Sequence, residues 1–155
     1  MSLPRLEVVE GGLRVLDAVE AGGLLRPFDP APVADRPSRD SVQIGRDRHL
    51  RVPPPLGFMN HACHPSVRID VLSLQVVALR DLRPGDEVTF FYPSTEWSMA
   101  EPFACHCGAS DCQGLVSGAD RVPVPVLLQH ELAPHILQLL GLDDRDSGLR
   151  EDPAP

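Results

Sequence analysis

The chain contains no lysine: all 14 of its basic residues are arginine. It has one asparagine, Asn60, one tyrosine, Tyr92, and one tryptophan, Trp97. A codon bias from a GC-rich genome, read here as bacterial, accounts for the missing lysine. Against that bias, a lone Asn and a lone Tyr inside recognisable motifs carry more information than they would elsewhere. Basic charge is also scarce, and 22 acidic residues give a formal net charge of -8. A phosphate backbone is bound by a basic face, so direct nucleic-acid binding is not expected. No apolar run approaches the roughly 20 residues of a membrane span, so no membrane partner is expected either. The opening residues, MSLPRLEVVE, lack the basic and then apolar pattern of a signal peptide. The expected location is therefore cytoplasmic, where thiols stay reduced.

What is present suits one compact domain. The 155 residues are 43% hydrophobic, enough for a core. Residues 6–25, LEVVEGGLRVLDAVEAGGLL, have short apolar runs broken by Gly-Gly pairs and predict two strands and a turn. Residues 27–40 are rich in Pro and Asp and read as an irregular loop. Residues 41–52 read as a hairpin turning at Gly45 and Arg46, and Pro53 to Pro55 then forbid regular structure. Residues 67–79 and VTFFY read as strands, with Pro84-Gly85 between them as a turn. From Pro93 to Gly118 the chain is loop-like. Residues 126–140 read as a helix or two short ones, broken at Pro134 and stopped at Gly141, which pack on the domain or pair two chains as a homodimer. Many short strands with little helix predict a mainly β domain. The expected division is a domain over 1–118, a helical extension over 119–142, and a disordered acidic tail over 143–155.

The four cysteines are unevenly spaced. Cys105, Cys107 and Cys112 form C-x-C-x4-C, and Cys63 lies more than forty residues earlier. Four thiolates complete a tetrahedral set for zinc and leave no position open for catalysis, so such a site would be structural. It would pin the C-terminal segment to the body of the domain. Two disulfides or unconnected buried thiols are the alternatives, and a reducing compartment disfavours the first. His64 and His106 are expected to be exposed polar residues.

Three segments taken together carry a resemblance: NHACHP at 60–65, RDLRPGDEVTFFY at 80–92, and CHCGASDC at 105–112. They resemble the SET-domain methyltransferase family with its post-SET zinc motif, in the short stand-alone form found in microbes. The resemblance runs over about residues 7–118. It implies a SET fold of small curved sheets and a zinc-bound post-SET segment, with Cys63, Cys105, Cys107 and Cys112 as the ligands. It implies an enzyme that uses S-adenosylmethionine to methylate an amine, most often a protein lysine. Carried over by motif, Asn60 would contact the cofactor through its side chain and His61 through its backbone, the His61 ring being structural. Gly12, in the Glu10-Gly11-Gly12 stretch, would let the backbone approach the cofactor. Tyr92 would be the catalytic hydroxyl, Phe103 would form part of the cofactor or substrate wall, and Glu87 would make a supporting hydrogen bond. Trp97 is expected to pack, and Glu10, Glu96 and Glu101 to be solvated. Two other functions stay open at this point: a small-molecule-directed enzyme using the same pocket, and a non-catalytic SET-fold binding module.

Overall fold

The computed structural model describes residues 2–28 and 33–142. The tail expected over 143–155 lies outside them. The described chain is mainly β, as expected, but its strands are two to five residues long and spread over five small sheets. The irregular loop expected at 27–40 contains a short strand, and the loop-like stretch after Pro93 contains two.

Strands β1 (Leu6–Val9) and β2 (Gly12–Val15) form a hairpin in which Val9 pairs with Gly12. Two residues, Glu10 and Gly11, make the turn, and Gly11 takes φ 85°, a conformation that glycine adopts at little steric cost. Strand β3 (Leu24–Pro27) pairs with β9 (Gln75–Ala78), which also pairs with β8 (Val67–Asp70). A second sheet joins β4 (Val33–Ala34), β6 (Arg48–Arg51) and β5 (Ser41–Gly45), with β6 in the centre. In β8 the side chains alternate, Val67 and Ile69 inward and Arg68 and Asp70 outward, the period-two pattern of a sheet with one wet face.

The pairing that matters most for function is short and parallel. Strand β7 (Asn60–His61) lies beside β10 (Thr89–Phe90), with Asn60 opposite Thr89 and His61 opposite Phe90. It sets the NHACHP segment next to the end of RDLRPGDEVTFFY, two stretches about thirty residues apart in sequence. Ser66 reinforces the junction, its hydroxyl donating to the Glu87 carbonyl at 2.8 Å and accepting from the Thr89 amide at 2.9 Å. Strands β11 (Phe103–Ala104) and β12 (Leu115–Val116) then pair antiparallel and bracket the cysteine trio.

The core gathers side chains from the hairpin, both three-stranded sheets and the C-terminal segment. Leu13, Val15, Leu25, Val67, Val76, Val88, Leu127 and Ile136 have no exposed surface. The last two come from helices α1 (Val124–Leu127) and α2 (Pro134–Leu140). Pro134 begins α2, where a missing N–H costs nothing, and so it starts a helix as well as separating two. Gly141, at φ 75°, ends it, and Leu142 N–H bonds back to the Leu137 carbonyl at 2.8 Å. Because Ile136 is fully enclosed, Ile136→Ala should cost about 2–5 kcal/mol of stability, readable as a lower urea midpoint with an unchanged slope. An effect below about 0.5 kcal/mol would mean that α2 is not part of the core. No helix among the described residues is long and apolar enough to cross a membrane.

Candidate functional site

A cleft of about 1270 Å³ opens between the β1–β2 turn, the segment before β7, and the chain that follows β10. Gly12, Asn60, Tyr92 and Phe103 all line it, so four of the five residues expected to contact cofactor or substrate meet on one surface. His61 is not on that lining.

Asn60 is held by its amide nitrogen. It donates to the Gly11 carbonyl and, at 3.0 Å, to Glu87 Oε2. This is the supporting bond expected of Glu87, and it settles the amide's orientation: among the described residues the carbonyl oxygen, Oδ1, has no partner and is free to accept. Gly12 matters for a reason that is not visible in the sequence. A Cβ there would sit 2.9 Å from both Asn60 Nδ2 and Glu87 Oε2. The missing side chain therefore makes room for the Asn60–Glu87 pair itself.

Tyr92 follows β10 in a single 3-10 turn, Tyr92–Ser94. Its hydroxyl donates to the Met59 carbonyl at 2.7 Å. Phe90 lies against its ring with centroids 4.6 Å apart, and Phe103 meets it edge-on at 6.4 Å. Burial, with the nearby charge of Glu96, pushes its hydroxyl up to about 12, so it stays a neutral donor at physiological pH. Phe103 is 48% exposed and closes the cleft on the side of the cysteine trio.

The His61 imidazole lies between this turn and the cysteines. Its Nδ1 accepts the Tyr92 N–H at 3.1 Å, which places the ring proton on Nε2, 3.7 Å from Cys63 Sγ. Burial, with a smaller push from His130, holds its pKa down to about 4, so the ring is neutral and the tautomer fixed. His61 thus ties the Tyr92 backbone to the cysteine cluster, the structural ring role expected of it.

The four sulfurs of Cys63, Cys105, Cys107 and Cys112 all lie within 4.8 Å of one another, and Cys63 and Cys105 are 4.0 Å apart. All four cysteines are free, so the disulfide alternative is set aside. A tetrahedron with zinc–sulfur bonds of about 2.3 Å has edges of about 3.8 Å, close to the spacing seen. Backbone amides point at the sulfurs, Gln113 N–H at Cys63 (3.5 Å) and Gly114 N–H at Cys112 (3.4 Å), as expected around thiolates. Without a cation, burial and the adjoining Cys112 and Cys107 push Cys105 up to about 12. The donor set therefore fits one divalent soft cation and would not ionise fully alone. His64 and His106 are both exposed, as expected, and His64 Nε2 contacts Asp111 Oδ1 at 2.7 Å.

One lining residue reverses its expectation. Glu96, expected to be solvated, is 8% exposed. Its Oε2 accepts the Gln43 N–H and the Thr95 hydroxyl, both at 2.8 Å. Burial pushes its carboxyl up to about 7, against the pull of those two hydrogen bonds. Its surroundings are set from a distance: His135 of α2 donates from Nε2 to the Thr95 carbonyl at 2.7 Å, and Ala133 N–H bonds the Ser94 carbonyl at 2.8 Å. Local sequence offers little sign of this burial, because Gln43, which bonds the carboxylate, comes from β5, and α2 braces the backbone at Ser94 and Thr95 beside it.

Comparisons with known proteins agree with this geometry. A family model described as SET domain matches residues 25–93. Methyltransferase flvH of Aspergillus flavus is 38% identical over 144 residues, which cover 88% of this chain and 81% of that protein. Histone-lysine N-methyltransferase ASHH2 of Arabidopsis thaliana is 31% identical over 97 residues, covering 59% of this chain but only 6% of that much longer protein. Among solved structures, KRYPTONITE in complex with mCHG DNA and SAH superposes with a TM-score of 0.58 at 21% identity, over 75% of this chain and 30% of that one. The methyltransferase domain of human SETMAR gives 0.54 at 17%, over 74% and 58%. At those identities the two structures establish a shared fold. The relatives named here are fungal, plant or human, and lend a bacterial origin no support.

Proposed function

The chain belongs to the SET-domain methyltransferase family, and we propose that it transfers the methyl group of S-adenosylmethionine to an amine, with a protein lysine side chain as the first substrate class to test. The observation that carries this reading is the meeting of Asn60, Gly12, Tyr92 and Phe103 on one cleft beside the four-cysteine cluster. When bound, S-adenosylmethionine supplies an electrophilic methyl group on a positively charged sulfur.

In this reading Asn60 offers Oδ1 to the ammonium group at the methionine end of the cofactor, and Gly12 keeps Asn60 in place. His61 contributes to the cofactor site through its backbone and holds the Tyr92 turn through its ring. Tyr92 borders the transfer site with a hydroxyl that stays protonated, and its aromatic neighbours exclude water. Phe103 closes the wall. Cys63, Cys105, Cys107 and Cys112 hold a structural zinc. Reduced thiols serving as metal ligands fit a cytoplasmic location. The working unit is residues 1–118, with 119–142 as a helical extension that braces it.

A second reading, a small-molecule amine as substrate, has one observation in its favour. The chain is more similar to a methyltransferase whose name specifies no substrate, flvH at 38% identity, than to the plant histone-lysine methyltransferase at 31%. A methyl-transfer screen against histone peptides, lysate proteins and small alkylamines separates the two. A binding-only SET module predicts no transfer to any of them.

Asn60→Ala should weaken S-adenosylmethionine binding by about tenfold to a hundredfold, the effect of losing a hydrogen bond to a charged group, while zinc content stays the same. Calorimetric titration reads this directly. Unchanged affinity would remove Asn60 from the cofactor site.

A further inference from the structure

Glu96 has no part in the proposed methyl transfer, yet its placement calls for one. It is an almost fully buried carboxylate on the cleft wall, one helical turn after Tyr92, with its own N–H bonded to the Tyr92 carbonyl at 2.9 Å. Both of its side-chain hydrogen bonds go to Oε2. Among the described residues Oε1 has no partner, and no arginine pairs with Glu96. Oε1 keeps access to the open space of the cleft, where a ligand can meet it, and a largely buried carboxylate with no counter-ion is the kind of group that concentrates at functional sites. The cleft favours a cation: Glu10, Glu96 and Glu101 line it without an ion pair among the described residues, against the single guanidinium of Arg39, while Asp40, also on the lining, is already paired with Arg51.

We propose that Glu96 receives the ammonium group of the substrate, Oε1 first accepting a hydrogen bond from the entering cation and then its proton. This inference rests on the proposed transfer to an amine and supplies a step that transfer needs, because a protonated amine has no lone pair with which to attack a methyl group. In the step, one N–H bond breaks, its electron pair stays on nitrogen, and an O–H bond forms on Oε1. The ammonium and carboxylate become a neutral amine and a carboxylic acid, with no change in total charge. Burial makes both directions of charge loss favourable: it raises an acid, as it does Glu96, and lowers an amine. Tyr92, held neutral, does not compete for the proton.

The test is a comparison of a cation with its neutral isostere. Zinc-loaded protein, with and without S-adenosylhomocysteine, is titrated with n-butylammonium and with 1-butanol at pH 7, following backbone resonances around the cleft. Glu96→Gln removes the charge but keeps an oxygen to accept from Gln43 and Thr95, so the fold should persist, and thermal unfolding checks this. Wild type should bind the ammonium about tenfold to a hundredfold more tightly than the alcohol, and Glu96→Gln should abolish that preference while leaving 1-butanol and S-adenosylhomocysteine affinities unchanged. Equal preference for the ammonium in both proteins, or none in wild type, overturns the proposal. A Glu96-dependent preference in a protein that methylates no amine would leave the ammonium site standing and remove the transfer reading. Transfer with no Glu96-dependent preference would do the reverse.

Discussion

Replacing Cys107 with serine should strip the zinc from the protein and loosen the cleft with it. The chain should fall from one zinc per molecule to near none. A structural site that loses a ligand loses most of its binding energy, and that energy is part of the folding energy. The damage should extend beyond the cysteine trio because of the connections around it. Cys63 Sγ lies against His61 Nε2, and His61 Nδ1 holds the Tyr92 N–H. Phe103, just before the trio, meets the Tyr92 ring. Methyl transfer should therefore fall along with zinc content, and residues 103–118 should become open to proteolysis. Metal analysis paired with a protease time course checks both. Full activity in zinc-free protein would show that the cluster does not support the cleft.

Tyr92→Phe should act at the opposite end of this chain of contacts. It removes one oxygen, the donor to the Met59 carbonyl, and leaves the ring packed against Phe90 and Phe103. Zinc and S-adenosylmethionine binding should be retained. The transfer rate should drop by about 10²–10³, the effect of removing one well-placed polar group from a reaction site. Single-turnover kinetics with the cofactor saturating isolates this step. An unchanged rate would make Tyr92 a packing residue whose hydroxyl anchors the Met59 backbone and nothing more.

Much of this site is legible in the amino-acid sequence. The lone Asn60 and the lone Tyr92 both reach the cleft, and four cysteines spread over fifty residues converge to within 4.8 Å. Such features are readable because each rests on residue types whose chemistry is narrow: thiolates for a soft cation, an amide that pairs in one orientation, a phenol at a strand end. The mainly β fold and the C-terminal helices follow from short apolar runs and from Pro134 and Gly141. What escapes the sequence is everything that depends on long-range enclosure. Glu96 reads as a solvated acid because its enclosure depends on chain far away in sequence. Gln43 on β5 bonds its carboxylate, and contacts from α2 brace the Ser94 and Thr95 backbone beside it. Gly12, expected from its motif to let the backbone approach a cofactor, lines the cleft with Asn60 and Glu87 as close neighbours, which are visible only in three dimensions. The strands within 27–40 and after Pro93 are two residues long, held by partners rather than by local propensity.

The most direct test is a titration of S-adenosylmethionine into the folded, zinc-loaded wild-type chain. The expected result is one cofactor per chain, displaced by S-adenosylhomocysteine, with Asn60→Ala weakened and Tyr92→Phe unaffected. A folded protein with full zinc that binds neither compound would contradict the methyltransferase assignment.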